Sequence, residues 1–325
     1  MMSTALTPSS LGISRGGSPT SWFDPTAIAD VDFAANRAYV NGTVYESIDA
    51  LLASPNASFA RASEKWLQDT PGIYTQFGAN IAAGVNSGIH IEDSASELLP
   101  RNNILGETPA TGATALEIAG WAQVGVETGF AEVLGAESIL GITSQPIRIN
   151  GGDAGGYQGW RTLASIAYAP GAYSFSVALR RATGKNATDI YLYEPIGLAG
   201  TYLVASSASI STDWQLFSLD LTAVASGSAS LQIMKTAVVD STYGVDIALP
   251  MLRAGSMSSP ILTTGSVETR AADDFDLHIA DDSYSADFVF DDDSTTSRAI
   301  TASGGLGWRI PADLPRQTIK RLLIH

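Results

Sequence analysis

No cysteine occurs among the 325 residues, which excludes disulfides, thiol nucleophiles and Cys-ligated zinc or iron–sulfur centres. Only three histidines are present, His90, His278 and His325. They lie far apart in sequence, so a His-rich metal site is not expected. Charge is scarce as well: 16% of residues are charged, against about 25% in typical globular domains. The balance is acidic, with 18 Lys and Arg against 33 Asp and Glu and a net charge of −15. Phosphate binding needs clustered Lys and Arg, so this balance argues against a nucleic-acid partner. No apolar run approaches the ~18 residues that cross a bilayer as a helix, and membrane insertion is not expected. The start, MMSTALTPSS, has no basic segment followed by an apolar one, so no secretory signal is expected. Without such a signal the triplets at Asn41, Asn56 and Asn186 carry no weight as glycosylation sites. What is present is apolar material, 45% of the chain, with 31 Gly and 14 Pro. That composition supports a real core, argues against wholesale disorder and suits many short strands and turns.

Residues 1–30 read as an extended arm with Pro, Gly and Ser at short intervals. Trp22, Phe23 and Ile28 would serve there as apolar anchors for docking on a partner. Residues 31–102 read as a small β-rich attachment unit. Asn41-Gly42 marks a hairpin turn, and SIDALLAS (47–54) is a short helix with Ser47 as its N-cap. Residues 103–256 carry the clearest domain. In YAPGAYSFSVALR, Tyr173, Phe175, Val177 and Leu179 alternate with Ser174, Ser176, Ala178 and Arg180. DIYLYEP sets Ile190 and Leu192 against Tyr191 and Tyr193. DWQLFSLDL groups Phe217, Leu219 and Leu221. Short alternating strands with Gly, Ser and Pro punctuation indicate a mainly β chain, an antiparallel sandwich flanked by small β-rich terminal regions. Residues 257–325 read as a C-terminal β segment, with Phe288 and Phe290 in alternation and DDDSTT as a hairpin loop.

Catalytic equipment is sparse, and no enzymatic activity is expected. Nucleophilic catalysis needs Ser or Cys beside a base, and no G-x-S-x-G occurs. His90, between Ile89 and Ile91, reads as a solvent-facing or satisfied structural residue. The glycine-rich GGDAGGYQG (151–159) lacks the Lys-Ser/Thr of a phosphate cradle and reads as a flexible loop. Glu127, Glu132 and Glu137 would be the carboxylates of a glycosidase. Their five-residue spacing fits neither one strand face nor one helix stripe, so an acidic loop is the better reading. Asp291, Asp292 and Asp293 offer hard oxygens for Ca²⁺, but no distal Glu follows, which favours a solvated hairpin loop. The aromatic residues say more. Trp and Tyr rings stack on the apolar C–H faces of sugars while polar neighbours bind the hydroxyls. Tyr157, Trp160 and Arg161, with Gln158, cluster in GGYQGWR, and Tyr191 and Tyr193 share one strand face. These five, Tyr157, Trp160, Arg161, Tyr191 and Tyr193, are the candidate carbohydrate contacts. The alternative is that they pack inside the sandwich or an oligomer interface. Trp121 and Trp214 read as core or edge packing.

Two resemblances attach to these segments. Residues 103–256 look like the jelly roll of carbohydrate-binding modules. The matching pieces are Asn103-Ile104-Leu105, Gly120-Trp121, Pro170-Gly171-x-Tyr173-x-Phe175-Ser176, Asp213-Trp214-Gln215-x-Phe217 and DIALPMLRAGS. The second covers roughly residues 31–325. FARAS (59–63), GIHIEDSASELLPRNNIL (88–105) and PMLRAGSMSSPILTTGSVETRAAD (250–273) resemble segments of tailed-phage virion proteins and of head spikes of gene transfer agents. The usual Glu-x-x-Arg/Thr-Asn-Leu-Leu is replaced here by Glu92-Asp93-Ser94 and then Glu97-Leu98-Leu99-Pro100-Arg101-Asn102-Asn103. The resemblance implies a virion surface fibre or spike, a head fibre or head spike rather than a long tail fibre. It would be assembled in the bacterial cytoplasm as a symmetric homo-oligomer, attached to capsid or spike-base proteins and binding host surface or capsular polysaccharide. It implies no cofactor. Jelly rolls of this kind often hold a structural Ca²⁺, whose ligands the sequence does not name. The alternatives are a purely structural capsid decoration or tail fibre subunit, a glycan depolymerase, and a secreted carbohydrate-binding protein. The net charge of −15 favours neutral or mixed glycans. A strongly anionic capsule would need local help from Arg161, Arg180, Arg181 or Lys185.

Overall fold

The structure is a computed structural model. It describes residues 22–70, 72–85, 87–107, 110–111, 117–118, 120–124, 131–151, 158–193, 195–198, 200–235, 241–255, 259–305 and 307–325. The local signals near the start act as expected. Asn41 and Gly42 both take left-handed φ values, 49° and 81°, and reverse the chain between strands Arg37–Val40 and Thr43–Tyr45. The Ser47 hydroxyl accepts from Ala50 N–H at 3.0 Å and starts the helix Ile48–Leu52, which buries Ile48 and Leu51.

Chain ends that are remote in sequence build one body. Strand Ala29–Asp32 pairs antiparallel with Thr318–Ile324, Val31 opposite Leu322. The latter strand also pairs with Asp282–Phe290, which continues to Thr295–Ala302. Ala57–Ala60 pairs with Asp274–Leu277 in a second sheet. Val31, Val40, Leu51, Phe275, Phe288, Phe290 and Leu322 share one core. Buried Asp30 accepts two bonds from Arg321, 2.8 and 2.6 Å, across 291 residues of sequence. The first and last segments thus complete each other's sheets, and the sandwich is an insertion between them. The apolar anchors of the arm are also used internally. Phe23 stacks on Tyr39 at 4.3 Å, Arg37 lies over Trp22 at 4.4 Å, and Ile28 N–H donates to Ile324 O. These three pack on the chain's own sheet. Residues 1–21 lie outside the described residues.

The insertion is an antiparallel sandwich whose chain passes from one sheet to the other, as in a jelly roll. The back sheet runs Ala110–Thr111, Ala131–Val133, Ile147–Asn150, Gly244–Ala254, Gly171–Arg181, Gln215–Ala223. The front sheet runs Glu117–Ile118, Trp121–Val124, Gln158–Thr162, Gln232–Lys235, Ile190–Tyr193, Thr201–Ala205. Tyr173, Phe175, Val177 and Leu179 point between the sheets, with Ile190, Leu192, Ile233 and Leu252. The opposite face of the same strand is covered as well: Ser174, Ser176 and Ala178 are buried. The cause is a second layer. Ile139, Leu140 and Ile142 cover Ala178, Ala248 and Leu249, joined by Trp66 and Tyr74 from the hairpin Lys65–Thr70/Ile73–Phe77. Tyr74 N–H donates to Leu140 O at 2.7 Å. A Cβ on Gly141 would meet Tyr74 O at 2.4 Å, so only glycine allows this approach.

Candidate functional site

The outward face of the front sheet follows from strand register, since residues directly opposite each other share a face. One row reads Ala122, Arg161, Gln232, Tyr193, Thr201, and the next reads Val124, Gly159, Met234, Tyr191, Leu203. Tyr191 and Tyr193 are half-buried, Arg161 and Thr201 exposed, and Leu203 is 47% exposed. Met234 is buried beneath this layer. The Tyr191 hydroxyl reaches Asp189 Oδ2 at 3.5 Å, while Asp189 Oδ1 accepts Ser207 N–H at 2.6 Å. Gly159 lets its strand approach the next one closely: a Cβ there would meet the Ile233 backbone O at 1.8 Å. The result is an open face with two rings, an amide, a hydroxyl and one guanidinium. Such a face suits an extended, partly apolar and partly hydroxylated ligand.

Strand alternation divides the five expected contacts. Arg161, Tyr191 and Tyr193 meet on the outward face. Trp160, next to Arg161, necessarily points the other way; it is 2% exposed and lies in the sandwich core with Trp121 and Leu192. It is a core residue and not a sugar contact. Tyr157 lies outside the described residues. Gln232, Thr201 and Leu203 join the face although nothing in their own segments marks them. Their signal is the pairing of their strands with Ile190–Tyr193, which no single sequence prints. A test follows from the Trp160 geometry. Its indole N–H has no hydrogen-bond partner among the described residues. Trp160→Phe removes that N–H along with some ring area. It is expected to cost about 1–3 kcal/mol in chemical denaturation, because the cavity left by the smaller ring outweighs the loss of an unpaired N–H, and to leave ligand affinity unchanged.

The other candidates are engaged. Both oxygens of Glu137 are held by the Arg180 fork, at 2.9 and 2.6 Å. Arg180 also reaches Asp246 at 2.8 Å and lies over the Trp214 ring at 4.5 Å. Glu132 accepts from Asn150 at 2.9 Å and neighbours Arg148 at 3.7 Å. Glu127 lies outside the described residues. Lys185 donates to Ser241 O; among the described residues of the two outward rows, Arg161 is the cation. Asp291, Asp292 and Asp293 cap the hairpin, as expected of DDDSTT, and pair with Arg316 and Lys320. No cluster of three or more His, Asp or Glu suited to a metal occurs among the described residues.

A second constellation lies where the sandwich leaves the composite body. Arg61, His90, Glu92, Arg270 and Asp273, from the three segments that carry the virion resemblance, converge there with Lys65, all buried. Asp273 accepts from Arg61 at 2.8 Å and from Lys65 at 2.5 Å. Glu92 faces Lys65 at 3.1 Å and Arg270 at 3.5 Å, and accepts both the N–H and the hydroxyl of Ser259. Burial opposes ionisation of Glu92, but Lys65, His90 and Arg270 outweigh it and pull the carboxyl down to about 2. His90 is neither solvent-facing nor satisfied: it is buried, and its Nδ1 has no partner among the described residues. Burial, aided by the Lys65 charge, pushes its pKa down to about 4. Nearby in sequence, Asn102 and Thr263 exchange backbone–side-chain bonds at 2.8 Å each way. Glu97 accepts Leu252 N–H, Leu99 N–H and Arg253 Nε.

No family model matches the chain, and no curated protein does. Solved structures give remote likenesses. The xylan-binding CBM22-1 domain of Paenibacillus barcinonensis Xyn10C is 13% identical, with 49% of this chain and 98% of that one covered at a TM-score of 0.31. The CBM22-1–GH10 modules of Clostridium thermocellum endo-1,4-β-D-xylanase 10B, complexed with xylohexaose, are 13% identical, covering 51% and 30% at 0.31. A cyclase from Fischerella sp. TAU is 10% identical, covering 50% and 99% at 0.36. The chain thus spans under a third of the xylanase modules. Carbohydrate-binding domains and a cyclase appear side by side at these scores, and the likenesses carry no inference about ligand.

Proposed function

We infer that the chain is a particle-surface binding protein whose sandwich presents the face of Tyr191, Tyr193, Arg161, Gln232, Thr201 and Leu203 to glycan. The observation that carries this reading is the pair of tyrosines side by side on an open, outward sheet face with polar neighbours in register. No enzymatic step is part of the reading. Its virion setting, as a head fibre or head spike adsorbing to host surface or capsular polysaccharide, is supported by the three sequence segments that resemble phage and gene-transfer-agent proteins. In that setting the composite body attaches to capsid or spike-base proteins as a symmetric oligomer. Each face holds sugar weakly, and many copies per particle raise the avidity.

Binding of the purified full chain to immobilised neutral and anionic bacterial polysaccharides tests the reading. Wild type is expected to bind a neutral or mixed glycan. Tyr191→Ala with Tyr193→Ala is expected to lower the affinity about 5–150-fold, the effect of losing two ring contacts of roughly 0.5–1.5 kcal/mol each. Trp160→Phe serves as the control that keeps the face intact. Absence of binding by multimerised wild type to every polysaccharide overturns the glycan reading and leaves a purely structural subunit.

A further inference from the structure

We propose that Lys65 and Asp273 join through an intramolecular amide bond formed by the protein itself, with Glu92 and Arg61 orienting the reacting groups. Lys65 Nζ lies 2.5 Å from Asp273 Oδ2 and 3.1 Å from Glu92 Oε2. All three side chains are closed to solvent: Lys65 is 0%, Glu92 1% and Asp273 2% exposed. Three features of this arrangement favour condensation over a lasting ion pair. Two unit charges are held in a dry site, where ionised groups are costly and the uncharged amide is not. The amine and carboxyl are fixed in contact, which gives a very high effective concentration. Arg61 donates to Asp273 Oδ1 at 2.8 Å, where negative charge develops as the carboxyl carbon becomes tetrahedral.

The step balances without any added reagent. Lys65 passes a proton across its direct contact to Asp273 Oδ2, and the freed amine lone pair attacks Cγ of the now neutral carboxyl. A Cγ–Nζ bond forms and electron density moves onto Oδ1, facing Arg61. The Cγ–Oδ2 bond then breaks. Oδ2 leaves as water, carrying the proton it received from Lys65 and a second proton lost from the bonded nitrogen. Ammonium plus carboxylate become amide plus one water, with no net proton and no change of oxidation state. Burial lowers the pKa of Lys65, against the pull of Glu92 and Asp273, in the direction that supplies the neutral amine. Glu92 N–H already donates to Asp273 Oδ2 at 3.0 Å, and Lys65 Nζ also donates to His90 O at 2.8 Å, so both partners are oriented. The bond would close a loop spanning 208 positions that contains the whole sandwich, and would tie the first segment of the composite body to the last.

Intact-mass measurement of the folded, full-length wild type decides the matter. The expected mass is one water below that of the sequence. A branched peptide joining the segments around Lys65 and Asp273 is expected after digestion. Lys65→Ala is expected at its full sequence mass, and Asp273→Asn at one ammonia below, because the same attack then expels nitrogen. A second readout needs no variant: wild type nicked by protease within the sandwich is expected to run as a single linked species under denaturing conditions. Folded wild type at full sequence mass, or nicked chains that part on denaturation, overturns the proposal and leaves an ion pair only.

Discussion

Asp273→Ala is expected to be among the most destabilising single changes in the chain, costing about 3–5 kcal/mol. The substitution leaves Arg61 and Lys65 buried without their carboxylate, and Arg270 loses a neighbour at 3.9 Å. None of these cations reaches water, since all three are sealed under the junction. Replacing a buried pair by apolar residues of equal shape is often neutral, whereas removing one partner strands the other, and here one carboxylate serves several cations. The expectation holds whether Lys65 and Asp273 meet as ions or as an amide, because the alanine variant supplies neither. Asp313→Ala is the matched control. Asp313 pairs with Arg298 at 2.7 Å, but its side chain is 73% exposed, so that change should cost about 1 kcal/mol or less. Denaturant midpoints of the two variants check the contrast. A loss at Asp273 no larger than that at Asp313 would show that the junction charges do not hold the two bodies together.

This junction also marks the limit of what the sequence discloses. Local rules locate the Asn41-Gly42 turn, the Ser47 cap and the alternation of Ile190 to Tyr193, because each depends on neighbours within a few residues. Alternation alone also assigns Trp160 and Arg161 to opposite faces, with no knowledge of strand pairing needed. The composite body is not legible in this way. Asp30 and Arg321, or Ala57 and Leu277, meet through pairing that a single sequence does not print. The charges in FARAS, GIHIED and TRAAD resemble a known pattern of segments, yet read singly they look like ordinary surface residues. Only their convergence turns them into one buried cluster. The tyrosine face lies between these cases. Its two rings follow from period two, whereas Gln232, Thr201 and Leu203 follow from register.

Stability between pH 7 and pH 4.5 is expected to be nearly flat in wild type because two buried groups act in opposite directions. Burial raises Glu97 from its ordinary 4.5 to about 7, against Arg253 and two backbone N–H groups. Burial lowers His90 from 6.5 to about 4. Glu97 binds its proton more tightly when folded, so its contribution is full below pH 4.5 and is lost as pH rises through 7. His90 binds its proton less tightly when folded, so its contribution is full above pH 6.5 and is lost as pH falls towards 4. At ~1.4 kcal/mol per pH unit each is worth up to about 3 kcal/mol, of opposite sign over nearly the same window. Substitution exposes each limb in turn. Glu97→Gln keeps an oxygen for the Leu252 and Leu99 N–H groups but no longer titrates. Its stability is expected to fall on acidification from pH 6.5 to 4.5, beneath a constant loss from the weakened contact to Arg253. His90→Gln is expected to do the reverse and gain stability over the same interval. Urea midpoints at half-unit steps of pH read both slopes directly. Parallel profiles for wild type and the two variants would show that neither group changes its proton affinity on folding.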